Sequence, residues 1–402
     1  EAYERGTSVY LVDRVVPMLP EKLSNNVCSL RPNEEKLCFS AVFKLDDKAN
    51  VHDQWFGKTI IKSDRRFNYQ EAQEIIDHQR EEFKEEMLKL NELARKMRNE
   101  RFKHGSIAFE RVEVKFLLDE IGSPTGVYFK EHGESNELIE EFMLLANRKV
   151  AEYIGKVAQD KKPKTFVYRI HDKPDKDKLE TFAEFVQKFG YSINMKDNKT
   201  ITRSINEVLG KVEGRGEQNV IETLAIRSMA KAEYSTKNIG HYGLAFDYYT
   251  HFTSPIRRYP DMMVHRLLAR YLDNGKSANQ KKFEDMCEHA SDMEKLAENA
   301  ERASIKYKQV EFLKDRIGEE FEGIISGVME WGIFVELNDS KCEGLVHIRD
   351  LDDDFYIHDE KNYCLIGQSK GKKYQLGDPV NVKLIRADLE KKQIDFLMLK
   401  KK

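Results

Sequence analysis

The sequence lacks several things, and each absence narrows the function. Its 402 residues hold five cysteines, Cys28, Cys38, Cys287, Cys342 and Cys364, an odd number with no C-x-x-C pair. That argues against a zinc or disulfide framework and for a reducing, cytoplasmic setting. No apolar run approaches the roughly 20 residues that span a bilayer, so no membrane partner is expected. Neither charge sign dominates: the net charge is -3, with 34% charged residues. The total does not advertise a polyanion partner, yet a local basic cleft can coexist with an acidic outer surface. No internal repeat or low-complexity segment stands out. There is neither a basic-apolar leader nor a Met at residue 1, and the opening EAYERGTSVYLVDRVVP reads as the middle of a protein, with residue 1 as a cut point.

What is present is enough for real cores. The length suggests two or three domains, and 40% of residues are hydrophobic. SVYLVDRVV and LCFSAVFKLD read as strands around a turn-rich segment. Residues 70–103 read as one long charged amphipathic helix. A strand pair follows, with GSPTG as its turn, then a helix with Ser135 as its cap. FVYRIHDKP reads as a buried strand, followed by helices near 176–190, 203–210 and 217–231 and a long one at 278–316. After Gly318 the texture alternates apolar and polar residues between glycines, which predicts a small all-β domain. The division is residues 1–316 and 317–402.

The stretch His241–Arg266, HYGLAFDYYTHFTSPIRRYPDMMVHR, concentrates aromatics, histidines, prolines and an arginine pair. Arginine suits phosphate because its planar fork makes two parallel charge-assisted bonds and keeps its charge. Pro255 can pre-set a helix start, where free backbone N–H groups attract an anion, and Pro260 with Asp261 interrupts or restarts that helix. TSPIRRYPD thus puts two guanidiniums at a rigid corner. The bland alternative is a surface salt bridge between that corner and Asp261 or a nearby Glu.

This stretch resembles the signature of the RNase II/RNase R (RNB) family of 3′→5′ exoribonucleases, approximately H-[FY]-G-L-A…Y-x-H-F-T-S-P-I-R-R-Y-x-D-x-x-x-H-R. RGTSVYLVDRVVPMLPEKLSNNVCSL, ELIEEFMLLAN and YRIHDKP are similar to the family as well. The tail from about 318 resembles the S1 RNA-binding domain. The double arginine and HFTSP look more like the RNase R branch. The resemblance implies an α+β fold: an N-terminally truncated RNB catalytic domain followed by a C-terminal all-β S1-type OB-fold barrel of five strands. It implies hydrolysis of single-stranded RNA to nucleoside 5′-monophosphates in RNA decay, by a monomer.

The resemblance assigns roles residue by residue. Arg257 matches the arginine beside the scissile phosphate, and Arg258 supports the same or a neighbouring phosphate. Tyr10 matches a ring that stacks on a base near the cleavage site, Phe109 the ring at the other end of the nucleotide row. Glu140, with Glu141 as its alternative, matches a carboxylate near a ribose hydroxyl, the group that separates RNA from DNA. Tyr249 and Glu301 join the RNA-binding set. His171, His241 and His251 tempt a metal or acid-base reading, but the family does not use histidine ligands, and they read as hydrogen-bonding scaffold. In the small domain Trp331, Phe334 and His347 match the aromatic face of an OB-fold, with Phe321 as a further candidate. Trp331 or Phe334 is the outer ring, since strands alternate faces. KGKKY and LKKK add backbone attraction that salt weakens.

The family holds magnesium with aspartates spaced roughly D-x5-D-x-D-D upstream of the RGTSVY segment. Residues 1–316 contain no such cluster. Asp350, Asp352, Asp353 and Asp354 crowd one loop of the S1-like part and read as an acidic turn. The expectation is therefore a substrate-handling fragment of a magnesium enzyme, whose ligands lie outside this chain and whose missing strands would leave apolar surface uncovered. The alternative is an RNA-binding protein without catalysis.

Overall fold

The computed structural model describes residues 1–107, 113–130, 132–158, 162–215 and 217–399. The chain opens with a one-turn helix α1 (Ala2–Arg5) and the two-residue strands β1 (Val9–Tyr10) and β2 (Val15–Val16). SVYLVDRVV therefore makes less strand than its composition suggests. Its backbone hydrogen bonds go to tertiary partners instead: Ser8 N–H donates to the Arg257 carbonyl at 2.9 Å and Tyr10 N–H to Glu301 Oε1 at 2.8 Å. A π-helical turn, Lys22–Val27, leads to a long hairpin, β3 (Glu35–Leu45) with β4 (Val51–Lys62). Phe39, Ala41, Phe43 and Phe56 share one face of it and pack on the core. Further along that face the cross-strand partners Leu37 and Ile60 stand 84% and 67% exposed.

Residues 70–103 form two helices rather than one, α2 (Tyr69–Ile76) and α3 (Lys84–Lys103). His78 turns left-handed, φ +62, and Gln79 N–H reaches back to the Glu74 carbonyl, which ends α2. The helical periodicity continues across the break, so pattern alone could not see it. The hairpin β5 (Glu113–Leu118) and β6 (Pro124–Lys130) precedes α4 (Glu134–Gly155), whose cap is Gly133 rather than Ser135. Ser135 lies in the first turn and donates its backbone N–H to Gln73.

Next come β7 (Tyr168–His171), α5 (Lys176–Gln187), α6 (Asn198–Val212), α7 (Gln218–Ser228) and β8 (Ala232–Ser235), with β7 and β8 antiparallel. Asp175 and Asp197 cap α5 and α6 through their carboxylates. The helix α8 (Tyr259–Leu272) starts at Tyr259, with Pro260 in its first turn, so Pro255 belongs to the preceding turn and not to the helix. The last helix, α9 (Gln280–Leu313), runs 34 residues, about 50 Å at 1.5 Å per residue.

Five strands close the C-terminal barrel: β9 (Glu320–Met329), β10 (Gly332–Leu337), β11 (Glu343–His347), β15 (Pro379–Asp388) and β16 (Gln393–Met398). Their order is β10-β11-β16-β15-β9, as the S1-type barrel requires. Between β11 and β15 a small antiparallel sheet is added, β12 (Tyr356–Asp359), β13 (Cys364–Gly367) and β14 (Lys373–Gln375). The whole is α+β with a closed all-β barrel at its C-terminal end.

The core does not divide where the chain changes texture. One cluster of buried residues runs from Leu179, Phe185 and Val208 on the helices to Ile325, Val346 and Phe396 in the barrel. Phe185 meets Tyr363 edge to face at 5.7 Å, and a Cβ at Gly377, φ +92, would approach Val220 at 3.3 Å. A second cluster joins α4, β7, β8, α8 and the start of α9 to the β3–β4 hairpin.

Candidate active site

The arginine pair forms a tight corner. Residues 255–257 make a turn, and Arg258 caps α8 in extended conformation. Asp261, wholly buried, sits under that corner. It accepts the Ser254 N–H at 2.7 Å and an Arg258 Nη2 hydrogen at 2.9 Å. Arg258 Nε lies 2.8 Å from the other carboxylate oxygen, as a charge contact without hydrogen-bond alignment. The salt-bridge corner is real, but it is buried rather than on the surface. With Arg258 held, Arg257 is the member of the pair that stands exposed.

The N-terminal segment is zipped onto this corner. Thr7 bridges Arg258, the Thr7 hydroxyl donates to the Arg257 carbonyl at 3.1 Å, and Tyr259 N–H donates to the Gly6 carbonyl at 2.9 Å. Gly6 adopts φ +66, and a Cβ there would sit 2.5 Å from Met293 of α9, so only glycine lets the segment approach the helix. Tyr10 is consequently 47% exposed and shares with Arg257 a cleft of 1290 Å³, also lined by Phe39, Phe252, Ser254 and Arg266. Glu301 accepts from Tyr10 N–H, and Ser304, one turn on, accepts from Val12 N–H at 3.1 Å. Tyr10, Arg257 and Glu301 thus converge from three distant parts of the chain.

Other candidates are placed differently. Tyr249 is 5% exposed, edge-on to His241 and His251, and its hydroxyl accepts from Asn147 at 3.2 Å. That is a supporting position. Asn147 also holds Phe252 N–H. Glu141 is buried against Arg101, and burial pushes its carboxyl above the usual carboxylate range. Glu140 stays half-exposed, 3.3 Å from Arg101. Of the two, Glu140 is the more exposed, with its other oxygen 3.9 Å from Arg98 and from His132. Phe109 lies outside the described residues.

The histidines form scaffold contacts. His171 accepts Gly243 N–H on Nδ1 at 2.9 Å, with its Nε2 2.8 Å from the Ala230 carbonyl, which defines a neutral ring protonated on Nε2. His251 Nδ1 meets the Tyr234 hydroxyl at 2.8 Å. Burial lowers His171, His251 and His265, and lowers His241 to about 3. A histidine whose folded pKa is depressed binds a proton more readily when unfolded. Its stability contribution is therefore full above the unfolded value, about 6.5, and lost as pH falls through the folded one. His241, lowered to about 3, removes about 2 kcal/mol at pH 5. Calorimetry from pH 7 to pH 5 should show the melting temperature falling steadily, and replacing His241 with asparagine should flatten that slope.

In the barrel Trp331 is 56% exposed while Phe334 is half-buried over Gly327, so Trp331 is the outer ring. His347 pairs across β10–β11 with Gly332, its Nε2 3.7 Å from buried Asp395. Phe321 lies under the Arg316 guanidinium at 4.8 Å. The acidic loop is a turn: Asp354 accepts the Ser369 and Lys370 N–H groups, and Asp353 pairs with Lys372 at 2.7 Å. Among the described residues no group of three or more His, Cys, Asp or Glu could hold a metal ion, so the residues described do not fit a magnesium centre. No described helix is long and apolar enough to cross a membrane.

Comparison with known proteins is consistent with this geometry. The RNB domain matches residues 1–274 and the S1 RNA binding domain residues 314–399. The chain is 38% identical over 411 residues to Ribonuclease R of Aquifex aeolicus, covering 100% of this chain and 57% of that protein. For Ribonuclease R of Escherichia coli the identity is 34%, over 99% of this chain and 51% of the relative. The chain thus spans about half the length of these relatives. Mycoplasma genitalium RNase R in complex with ribose methylated single-stranded RNA superimposes with a TM-score of 0.91 at 28% identity, covering 99% of this chain and 63% of that one. The chain belongs to the RNase II/RNase R (RNB) family and carries an S1 RNA-binding domain behind its RNB domain.

Proposed function

We propose that this chain is the substrate-handling part of a 3′→5′ exoribonuclease of RNase R type, which hydrolyses single-stranded RNA to nucleoside 5′-monophosphates in cytoplasmic RNA decay. The observation that carries this reading is the shared cleft of Tyr10 and Arg257, assembled by backbone bonds between the first residues and the arginine corner. Arg257 would face the scissile phosphate, where its guanidinium offsets charge developing on the phosphoryl oxygens. Tyr10 would stack on a base near it, a contact indifferent to base identity. Glu301 would act by holding Tyr10 in place, and Glu140 would meet a ribose hydroxyl. Magnesium would be bound by carboxylates other than these. A monomer suffices for this arrangement.

The test is a 5′-labelled single-stranded RNA incubated with this chain in magnesium and in EDTA. Binding in both buffers is the expected result. A magnesium-dependent ladder would show that the chain also cleaves, and absence of any complex would refute the assignment. Trp331 supplies a second check. Loss of one base stack costs about 1–3 kcal/mol, so Trp331→Ala should weaken single-stranded RNA binding severalfold to a hundredfold by anisotropy, with melting unchanged. An unaltered affinity would remove Trp331 from the binding face.

A further inference from the structure

A second cleft, of 830 Å³, lies between α5, the end of α7, the β7–β8 pair and α9. Four cations from four segments line it: Lys178 in the first turn of α5, Arg227 at the end of α7, Lys231 just before β8 and Arg302 on α9. All four are exposed, and no carboxylate is among the residues that line the cleft. Lys178, Arg227 and Lys231 form no ion pair among the described residues; Arg302 has a loose one, 3.8 Å, with Glu298 on its own helix. Elsewhere several surface cations sit beside a carboxylate three or four residues away. The floor is apolar or neutral, with Met229 and the neutral His171. Cations left unpaired around an uncharged floor repel one another and gain when a polyanion supplies the missing charge.

The cleft also has a fixed relation to the Tyr10 site. Glu301, which holds Tyr10, and Arg302, which lines the cleft, are consecutive on α9 and project about 100° apart. Both sites therefore border the same turn of α9, one through Tyr10 and the other through Arg302 itself.

We propose that this cleft binds the sugar-phosphate backbone of single-stranded RNA upstream of the nucleotides held at Tyr10 and Arg257. The inference rests on the reading of the chain as an RNA-handling one. It assigns Lys178, Arg227, Lys231 and Arg302 as phosphate contacts that carry no sequence preference.

The test uses the full chain in EDTA with a fluorescein-labelled 20-nucleotide oligouridylate, its affinity measured against salt. Each single-strand phosphate contact contributes a slope of about 0.7 in log K against log salt. Arg227→Ala with Lys231→Ala should lower the slope by about 1.4 and the low-salt affinity by tenfold or more. Arg227→Lys with Lys231→Arg should restore both, because charge and not shape is read. An unchanged slope overturns the proposal. If the double variant melts differently from the parent, Lys178→Ala with Arg302→Ala gives the same decision from the opposite wall. Should the unsubstituted chain bind no oligouridylate at all, the RNA-handling reading itself fails. A chain that binds normally while both double variants keep the parental slope refutes the cleft alone.

Discussion

Asp261→Ala is expected to cost about 3–5 kcal/mol of folding stability, the penalty for leaving a buried charge without its partner. Arg258, 15% exposed at its side chain, would lose the only carboxylate it touches among the described residues, and Ser254 N–H would lose its acceptor. The mechanism predicts more than a loss. Arg258→Met combined with Asp261→Leu removes both charges and should recover most of the stability, because a buried ion pair is often no better than apolar side chains of the same volume. Denaturant titration of the single and double variants checks this. A double variant as unstable as Asp261→Ala would mean that the Ser254 contact, and not the charge, dominates.

Arg257→Ala is expected to leave folding alone and to weaken binding at the 3′ end of single-stranded RNA about 10- to 100-fold, the range of a charge-assisted hydrogen bond worth about 1.5–3 kcal/mol. Arg257→Lys should recover only part, since an ammonium keeps the charge and loses the fork. The contrast with its neighbour is the sharper measurement. Arg257 is exposed in the cleft and Arg258 is tied to Asp261. Arg257→Ala should therefore show in RNA binding and Arg258→Ala in thermal melting. If both appear in binding with melting unchanged, the division of labour between the two arginines is wrong.

The motif HFTSPIRRYPD carries the site in consecutive letters, so its family and its arginine corner were legible without coordinates. Which arginine is free was not. That depends on Asp261 being buried, and the i, i+3 spacing from Arg258 is the same for a surface pair. The barrel was legible because its alternation and glycines are local signals. The break at His78 was not, because a left-handed residue leaves the helical periodicity on either side intact. Tyr249 looked like an RNA ring from its neighbours in sequence, but three dimensions bury it behind Asn147. The basic cleft was invisible for another reason: its four cations are dispersed between residues 178 and 302, and a near-neutral total conceals them.

The core shared by the barrel and the helices α5–α7 bears on how such proteins can be re-engineered and how they diverge. A barrel of this type is ordinarily treated as a cassette, cut at the connecting segment and exchanged between hosts. Here the cut would pass through packed side chains, with Phe185 and Val220 on one side and Tyr363 and Gly377 on the other. A chimera that swaps only residues 317–402 inherits a mismatched seam, whereas one that moves residues 176–228 together with them keeps the seam whole. Substitutions on the two sides of that seam are then constrained to change in concert, although the family boundaries assign them to different modules.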